Sequence, residues 1–457
     1  MRGLSLKKAL ISSTVVSMMM IVSACGSTKT AAPTASESVK PADATAAAAA
    51  TAKPPERVKL KILGHVSWFK SGYEAVKKDA ALHGFDLEEE KVPDTDAGND
   101  LIKTRFATKD TPDLLLFFPG SIFSNFGPPA DNFVKQEDQS WMANFDKAKW
   151  VRALDEKESA ASDVRGYYAA PYWGANVSAV LYNKKVFESL NLKVPKTTAE
   201  FLAVCEALKQ AGKTPVFYAG KDNWTLQLLP FDSASKQGYN ELANKINKNT
   251  AKFTQYDNLK KGILSLVDLK NKGYINKDFL SDTYDNAEKA LATGTAGMFH
   301  MGTWMMSDIA TKFPDNLNDI GSFIMPFDGN DSDILPVFAP YGFFVPKGKN
   351  QEAAQRFVNY FESIETQNLY FANEGGIPAI KGVTKTKLSS AEMDAKSLLD
   401  ANRGYPNWQY GFDYSVSNFG VYLQDALVGS KTADQVLEAM DKDFEKDAKV
   451  KKDPNFK

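Results

Sequence analysis

Val58-Lys59-Leu60-Lys61-Ile62-Leu63 alternates apolar and polar side chains, the period of a half-buried strand. Gly64 to Phe69 reads as a loop, and Gly72 to His83 as a helix. Phe85 to Val92 predicts a second strand with acidic residues on one face. Leu101 to Thr108 predicts a second helix, stopped by Thr111-Pro112. Leu114-Leu115-Leu116-Phe117-Phe118 is an unbroken apolar run, which suits a central parallel strand covered on both faces. This strand–helix–strand–helix–strand order implies an α/β architecture with a parallel or mixed sheet between helices. Ligands of such sheets sit beyond the carboxyl ends of the strands, which points to loops 64–69 and 119–126. Thr197-Thr198-Ala199-Glu200 predicts a capping box opening a helix that ends near Gly212. Phe201, Cys205 and Leu208 share that helix's apolar stripe, so Cys205 is expected to be a core thiol. No internal repeat of 20–50 residues occurs.

The first 24 residues read as an address. Arg2, Lys7 and Lys8 precede an apolar stretch, residues 9–24, that is too short to span a bilayer as a stable helix. Val22-Ser23-Ala24-Cys25 resembles a bacterial lipobox, in which the cysteine receives a diacylglycerol thioether and becomes the mature N-terminus. Residues 25–56 would then be a lipidated end and a tether. This stretch is rich in Ala, Thr, Ser and Pro, lacks aromatics and has no means of burying a core. A flexible chain of that length reaches roughly 30 Å, enough to hold a folded head clear of a membrane.

The 55 basic and 56 acidic side chains leave a net charge of −1, which gives no basic surface for a nucleic acid. Losing Arg2, Lys7 and Lys8 with the leader moves it to −4, so attachment to a membrane would rest on the lipid at Cys25. A hydrophobic content of 43% excludes disorder over most of the length. Two cysteines exclude a disulfide scaffold or a cysteine-rich zinc module, and three histidines, at 65, 83 and 300, leave little for metal chemistry. No cofactor or metal is expected. Gly212-Lys213-Thr214 is not a phosphate loop, because Ala207 stands where that motif needs Gly. Asp94-Thr95-Asp96-Ala97-Gly98 is not an EF-hand, because Arg105 replaces the bidentate Glu. No G-x-S-x-G elbow occurs, and no enzyme activity is expected.

What remains is a set of aromatic residues placed in loops. Trp68 and Phe69 follow the first strand, and Phe123 and Phe126 the apolar one. Trp173 sits in Pro171-Tyr172-Trp173-Gly174, Trp224 beside Asn223, Trp304 in Gly302-Thr303-Trp304, Tyr341 in Pro340-Tyr341-Gly342, and Trp408 after Asn407. Flat apolar faces with amide and carboxylate neighbours suit sugar rings.

Several segments carry a resemblance. Leu181 to Phe187, Pro195-Lys196-Thr197 and Glu200-Phe201 are similar to a signature of bacterial extracellular solute-binding proteins of family 1. So are Ala290 to Trp304, Gly321 to Pro326, Gly342 to Pro346, Gly375 to Pro378 and Tyr422 to Gly429. These are the sugar-type receptors of ABC importers, related to maltose-binding protein. The resemblance implies a periplasmic-binding-protein-like fold of two α/β lobes with an interlobe cleft and a hinge. By position, the N-lobe would be 57–171 plus 329–364, and the C-lobe 172–328 plus 365–457. It implies Trp304 as a sugar-stacking residue, with His65, Trp68, Phe69, Ser121 and Phe123 as ligand contacts. Trp173, Trp224, Asn223, Tyr341 and Trp408 are added from their loop placement. The implied partners are a carbohydrate, ABC permease subunits and the bilayer through Cys25. The implied state is a monomer on the outer side of the cell membrane. An anchored carbohydrate-active enzyme and a sensory or non-sugar receptor of the same fold remain open alternatives.

Overall fold

The computed structural model describes residues 57–120, 126–127, 129–145, 167–235, 239–327, 334–338, 340–416 and 418–457. Cys25, the lipobox and the tether lie outside them, as do Ser121 and Phe123. No helix among the described residues is long and apolar enough to cross a membrane.

The alternation at 58–63 becomes β1 (Val58–His65) and the next strand β2 (Phe85–Val92), paired in parallel. The apolar run becomes β3 (Leu114–Phe117), parallel to β1 on its other side. Helices Ser71–Leu82 and Asp96–Ala107 join these strands, the second starting five residues earlier than its pattern suggested. β2 is an edge strand, and its acidic face is answered by bases on β1 and by Arg57 directly before β1. Arg57 pairs with Asp86 at 3.2 Å, Lys59 with Glu88 at 2.7 Å, and Lys61 with Glu90 at 3.2 Å. Charged side chains on an edge discourage pairing with another chain.

β4 (Ala169–Pro171) leads across to β5 (Asn176–Asn183), the centre of a second sheet. That sheet also holds β6 (Thr214–Val216), β7 (Ala296–Gly302), β8 (Ile320–Phe323), β9 (Leu335–Phe338) and β11 (Gly404–Pro406). The chain returns to the first sheet with β10 (Gly342–Phe344), antiparallel to both β3 and β4. The first sheet runs β2-β1-β3-β10-β4, and the second β11-β9-β5-β7-β6 with β8 also on β5. Each sheet with its helices is one lobe.

Two segments lie elsewhere than their sequence positions suggested. Leu335–Phe338, placed with the N-lobe, hydrogen-bonds to β5 and β11 in the second sheet. Helix Ile364–Glu374, placed with the C-lobe, packs on helix Ser71–Leu82 of the first. The reason is local: a Cβ on Gly72 would lie 2.7 Å from Glu374 Cβ and 2.9 Å from Tyr370 Cδ2, so only glycine lets these helices approach. The helix at Thr198–Gln210 is capped by Thr197, which accepts from Glu200 N at 3.2 Å. Glu200 reaches back to Lys196 N at 2.7 Å rather than to the Thr197 amide, so the capping box is offset by one residue. Cys205 is fully buried, and burial pushes its thiol well up.

Glu362 caps helix Gln351–Phe361 and is 1% exposed. Neither carboxyl oxygen has a protein partner among the described residues, and burial holds its pKa well above the usual carboxylate range. The folded state therefore holds a proton that the unfolded chain releases near pH 4.3. Stability must fall as pH rises above that value. Glu362→Gln removes this dependence, so thermal unfolding should show a stabilisation growing by up to about 1.4 kcal/mol per pH unit above pH 5.

Candidate functional site

Three connections cross between the lobes and hydrogen-bond to one another. Tyr172 N donates to Tyr341 O at 2.7 Å, joining the first crossing to the second. Ala175 N donates to Ile377 O at 2.7 Å, joining the first to the third. Trp173 and Tyr341 stand on these crossings, their rings 4.6 Å apart at 30°. Trp68, at the carboxyl end of β1, lies 4.7 Å from Tyr341 and 5.9 Å from Trp173. Phe118, just past β3, closes the group at 4.5 Å from Tyr341. These are the strand ends at which α/β sheets place ligand sites. Tyr172 OH donates to Trp68 O at 2.8 Å and holds the turn. His65 backs Trp68 at 4.6 Å, with Nε2 3.0 Å from Asn99 Oδ1 and only 3% exposure. Burial pushes its pKa down, against the pull of Asn99 and Asp94, so it supports Trp68 as a neutral ring.

The facing wall comes from the second lobe. Trp304 follows β7 and opens helix Met305–Lys312. Its indole lies over Gly302: a Cβ there would fall 2.0 Å from Trp304 Cζ3. The missing side chain at 302 thus makes room for the tryptophan itself. Phe338 meets its ring edge at 5.0 Å, and Trp224 lies 6.3 Å away beside Tyr284. Thr303 anchors the turn, donating its N–H to Val177 O at 3.0 Å and accepting from Val177 N at 3.1 Å.

Between these walls is a pocket with about 390 Å³ of empty space including its mouth. Trp173, Trp304, Asn176 and Thr303 line it, with Lys70, Glu374 and Glu392 as its charged groups. Desolvation pushes the Glu392 carboxyl up to about 7 against the lowering bonds from Ser389. A polar clasp bridges the lobes at one side. Lys70 of the first lobe donates to Ser307 Oγ at 2.9 Å and Asp308 Oδ1 at 3.0 Å of the second. Ser307 Oγ donates to Glu374 Oε1 at 2.7 Å, while Ser71 Oγ and Gly72 N donate to Glu374 Oε2 at 2.9 and 3.1 Å. Lys70 Nζ also sits 5.2 Å from the centre of the Trp173 ring.

Of the residues singled out from sequence, Trp173 and Trp304 line the pocket, Trp68 and Tyr341 pack against Trp173 with His65 behind Trp68, and Trp224 lies beside Trp304. Trp408, Phe69 and Asn223 fall outside this group, and Ser121 and Phe123 lie outside the described residues. Trp408 is 0% exposed in the second lobe's core, between Phe253, Tyr256 and Phe412. A tryptophan in a Pro- and Asn-flanked loop reads as a surface platform, but here the loop folds over apolar helices that cover it. Phe69 turns back onto Tyr73 and Lys91. Asn223 turns its Oδ1 toward Gly420. Lys70, Ser307, Glu374, Asn176, Thr303 and Glu392 carried no sequence signal of their own. Thr303 lay inside the marked Ala290 to Trp304 segment, while Lys70, one residue past loop 64–69, and Glu374, just before Gly375-Gly376, lay beside marked segments.

One buried trio has the composition of a hydrolase triad but not its wiring. Asp232 Oδ2 and Ser178 Oγ both meet His300 Nε2, at 2.7 and 3.3 Å. A relay needs the carboxylate on one ring nitrogen and the nucleophile on the other. All three side chains are also sealed in the second lobe.

Residues 91–368 match the family model described as bacterial extracellular solute-binding protein. The chain belongs to that family. It is 28% identical over 310 residues to a multiple sugar-binding protein of Streptococcus mutans, covering 64% of this chain and 68% of that one. It is 26% identical over 218 residues to an uncharacterized extracellular-binding protein of an ABC transporter from Pyrococcus horikoshii, covering 47% of each. A solved chitin oligosaccharide binding protein superposes with a TM-score of 0.71 at 22% identity, over 86% of this chain and 99% of its own. Solute-binding proteins of this family share the two-lobe fold found here.

The clasp predicts how the solute-binding protein behaves without ligand. Lys70→Ala removes both bonds to the 305–312 helix and should loosen the lobes by about 1.5–3 kcal/mol, the worth of a hydrogen bond to a charged group. Small-angle scattering of the ligand-free protein should then show a larger radius of gyration. An unchanged radius would mean that other contacts hold the lobes together.

Proposed function

We propose that this solute-binding protein captures a carbohydrate, an oligosaccharide, in the interlobe cleft and delivers it to an ABC importer by hinge closure. The observation that carries the reading is a pocket lined by Trp173 and Trp304 together with polar groups, with Trp68 and Tyr341 packed behind Trp173 and Trp224 beside Trp304. Stacked rings bind the apolar faces of a sugar, and convergent polar groups bind its hydroxyls. One ligand touching both walls draws the lobes together, because those contacts exist together only in the closed state. The sugar-binding names of the relatives point the same way. The protein binds without turning its ligand over and acts as a monomer. It is held on the outer face of the cell membrane by a lipid on Cys25, with residues 26–56 as the tether.

A thermal-shift panel of raffinose, stachyose, xylotriose and di-N-acetylchitobiose tests the reading, since ligand bound only by the folded state raises its stability. At least one sugar should shift the melting temperature and be recovered intact. Trp304→Ala should weaken that sugar about thirtyfold, the equivalent of about 2 kcal/mol lost with an aromatic anchor. Intact affinity with a lower ligand-free melting temperature would make Trp304 a packing residue instead. Cys25→Ser, expressed from the full gene, should release the head into the medium. A variant that stays in the membrane fraction would overturn the lipid anchor.

A further inference from the structure

Three charged side chains line the interlobe pocket, and in two of them every atom that carries the charge already has a hydrogen-bond partner within the protein. Lys70 is taken by Ser307 and Asp308. Glu374 Oε1 accepts from Ser307, and its Oε2 accepts from Ser71 and Gly72. Glu392 differs. It is the third residue of a capping box at the start of helix Ser390–Asp400. Its Oε2 accepts from Ser389 N at 2.8 Å and Ser389 Oγ at 2.7 Å. No described residue bonds its Oε1. That oxygen lies 3.8 Å from the point where a Cβ on Gly376, another pocket residue, would stand. The residue is only 8% exposed. Its Oε1 thus stands at the pocket with no partner among the described residues, where a donor of a bound ligand can reach it.

We propose that Glu392 is a ligand-binding residue whose Oε1 accepts a hydrogen bond from a hydroxyl of a neutral sugar ring in the pocket beside Trp173 and Trp304. It selects for ligands that carry a donor at that position. This deepens the carbohydrate reading and rests on it. The bond is charge-assisted, and so stronger than a neutral one, where the carboxyl is ionised. Its second role, capping the helix, fixes where Oε1 points.

Glu392→Gln separates the two roles. The Ser389 amide still needs an acceptor, so the glutamine oxygen takes the place of Oε2 and the helix stays capped. The amide NH2 then faces the pocket, where the carboxylate had been. Isothermal titration with raffinose, stachyose, xylotriose and di-N-acetylchitobiose should show about tenfold or greater loss for the sugar that binds the parent protein. The ligand-free melting temperature should be unchanged or higher, since a buried ionisable group has been removed. Equal affinity overturns the proposal. A lower melting temperature with equal affinity does so too, and leaves Glu392 as a cap alone. Glu392→Asp, which withdraws the carboxylate by one methylene, should lose affinity as well, and tests the proposal should the glutamine variant not fold. If none of the four sugars binds the parent protein, the carbohydrate reading fails and the proposal with it. If a sugar binds both forms equally, only the role of Glu392 fails.

Discussion

The Glu374 carboxylate takes hydrogen bonds from both lobes at once, and the cleft depends on that. Ser71 and Gly72 reach it from the first lobe, and Ser307 reaches it from the second. Its position is set by the close approach of two helices, which Gly72 alone permits. Lys70, directly before this helix, then bonds the same 305–312 helix through Ser307 and Asp308. These polar bonds thus bridge the lobes beside an apolar cluster that itself runs from Leu60 and Ile62 of the first sheet through Tyr172 and Ala175 to Val177, Ala179, Leu335 and Val337 of the second. Such bonds are individually modest in net worth, so a ligand contact can outweigh them, while the apolar packing at the crossings keeps the two lobes joined.

The aromatic wall of the first lobe is rigid for a different reason. Trp68, Trp173, Tyr341 and Phe118 pack on one another, and Tyr172 pins the backbone of Trp68 from beneath. Side chains already held in place lose little freedom on binding, which leaves more of the contact energy as affinity. The second wall is built more sparsely. Trp304 lies over its own Gly302 and meets Phe338 edge-on, while Trp224 stays 42% exposed. The asymmetry gives one preformed face and one that adapts.

Buried polar groups beneath the site fix the second lobe. His300, Asp232, Ser178 and Asn407 form one network at the level of β5 and β7. Desolvation raises the Asp232 pKa, opposed by the bond to His300. A hydrogen-bonded network of this kind specifies which residues face each other across the sheet, because a slip of one position would leave each group unpaired.

Local pattern was enough for the first three strands, their parallel order and the helices between them. Alternation, apolar runs and stop signals are properties of neighbouring residues, and the chain obeyed them at 58–65, 85–92 and 114–117. Loop aromatics after strand ends were legible for the same reason: Trp68 packs on Trp173, and Trp173 and Trp304 line one pocket. The lobe boundaries were not legible, because β9 is a short apolar segment that would suit either sheet. Only its register with Val177 on β5 decides between them. Nor was Trp408, whose loop composition says exposed while helices far off in sequence bury it. Glu374 and Glu392 were the least visible. A glutamate's spacing along a chain says nothing about which donors will surround it. That depends on residues some three hundred positions away for Glu374, and for Glu392 on a pocket that exists only once both lobes have folded.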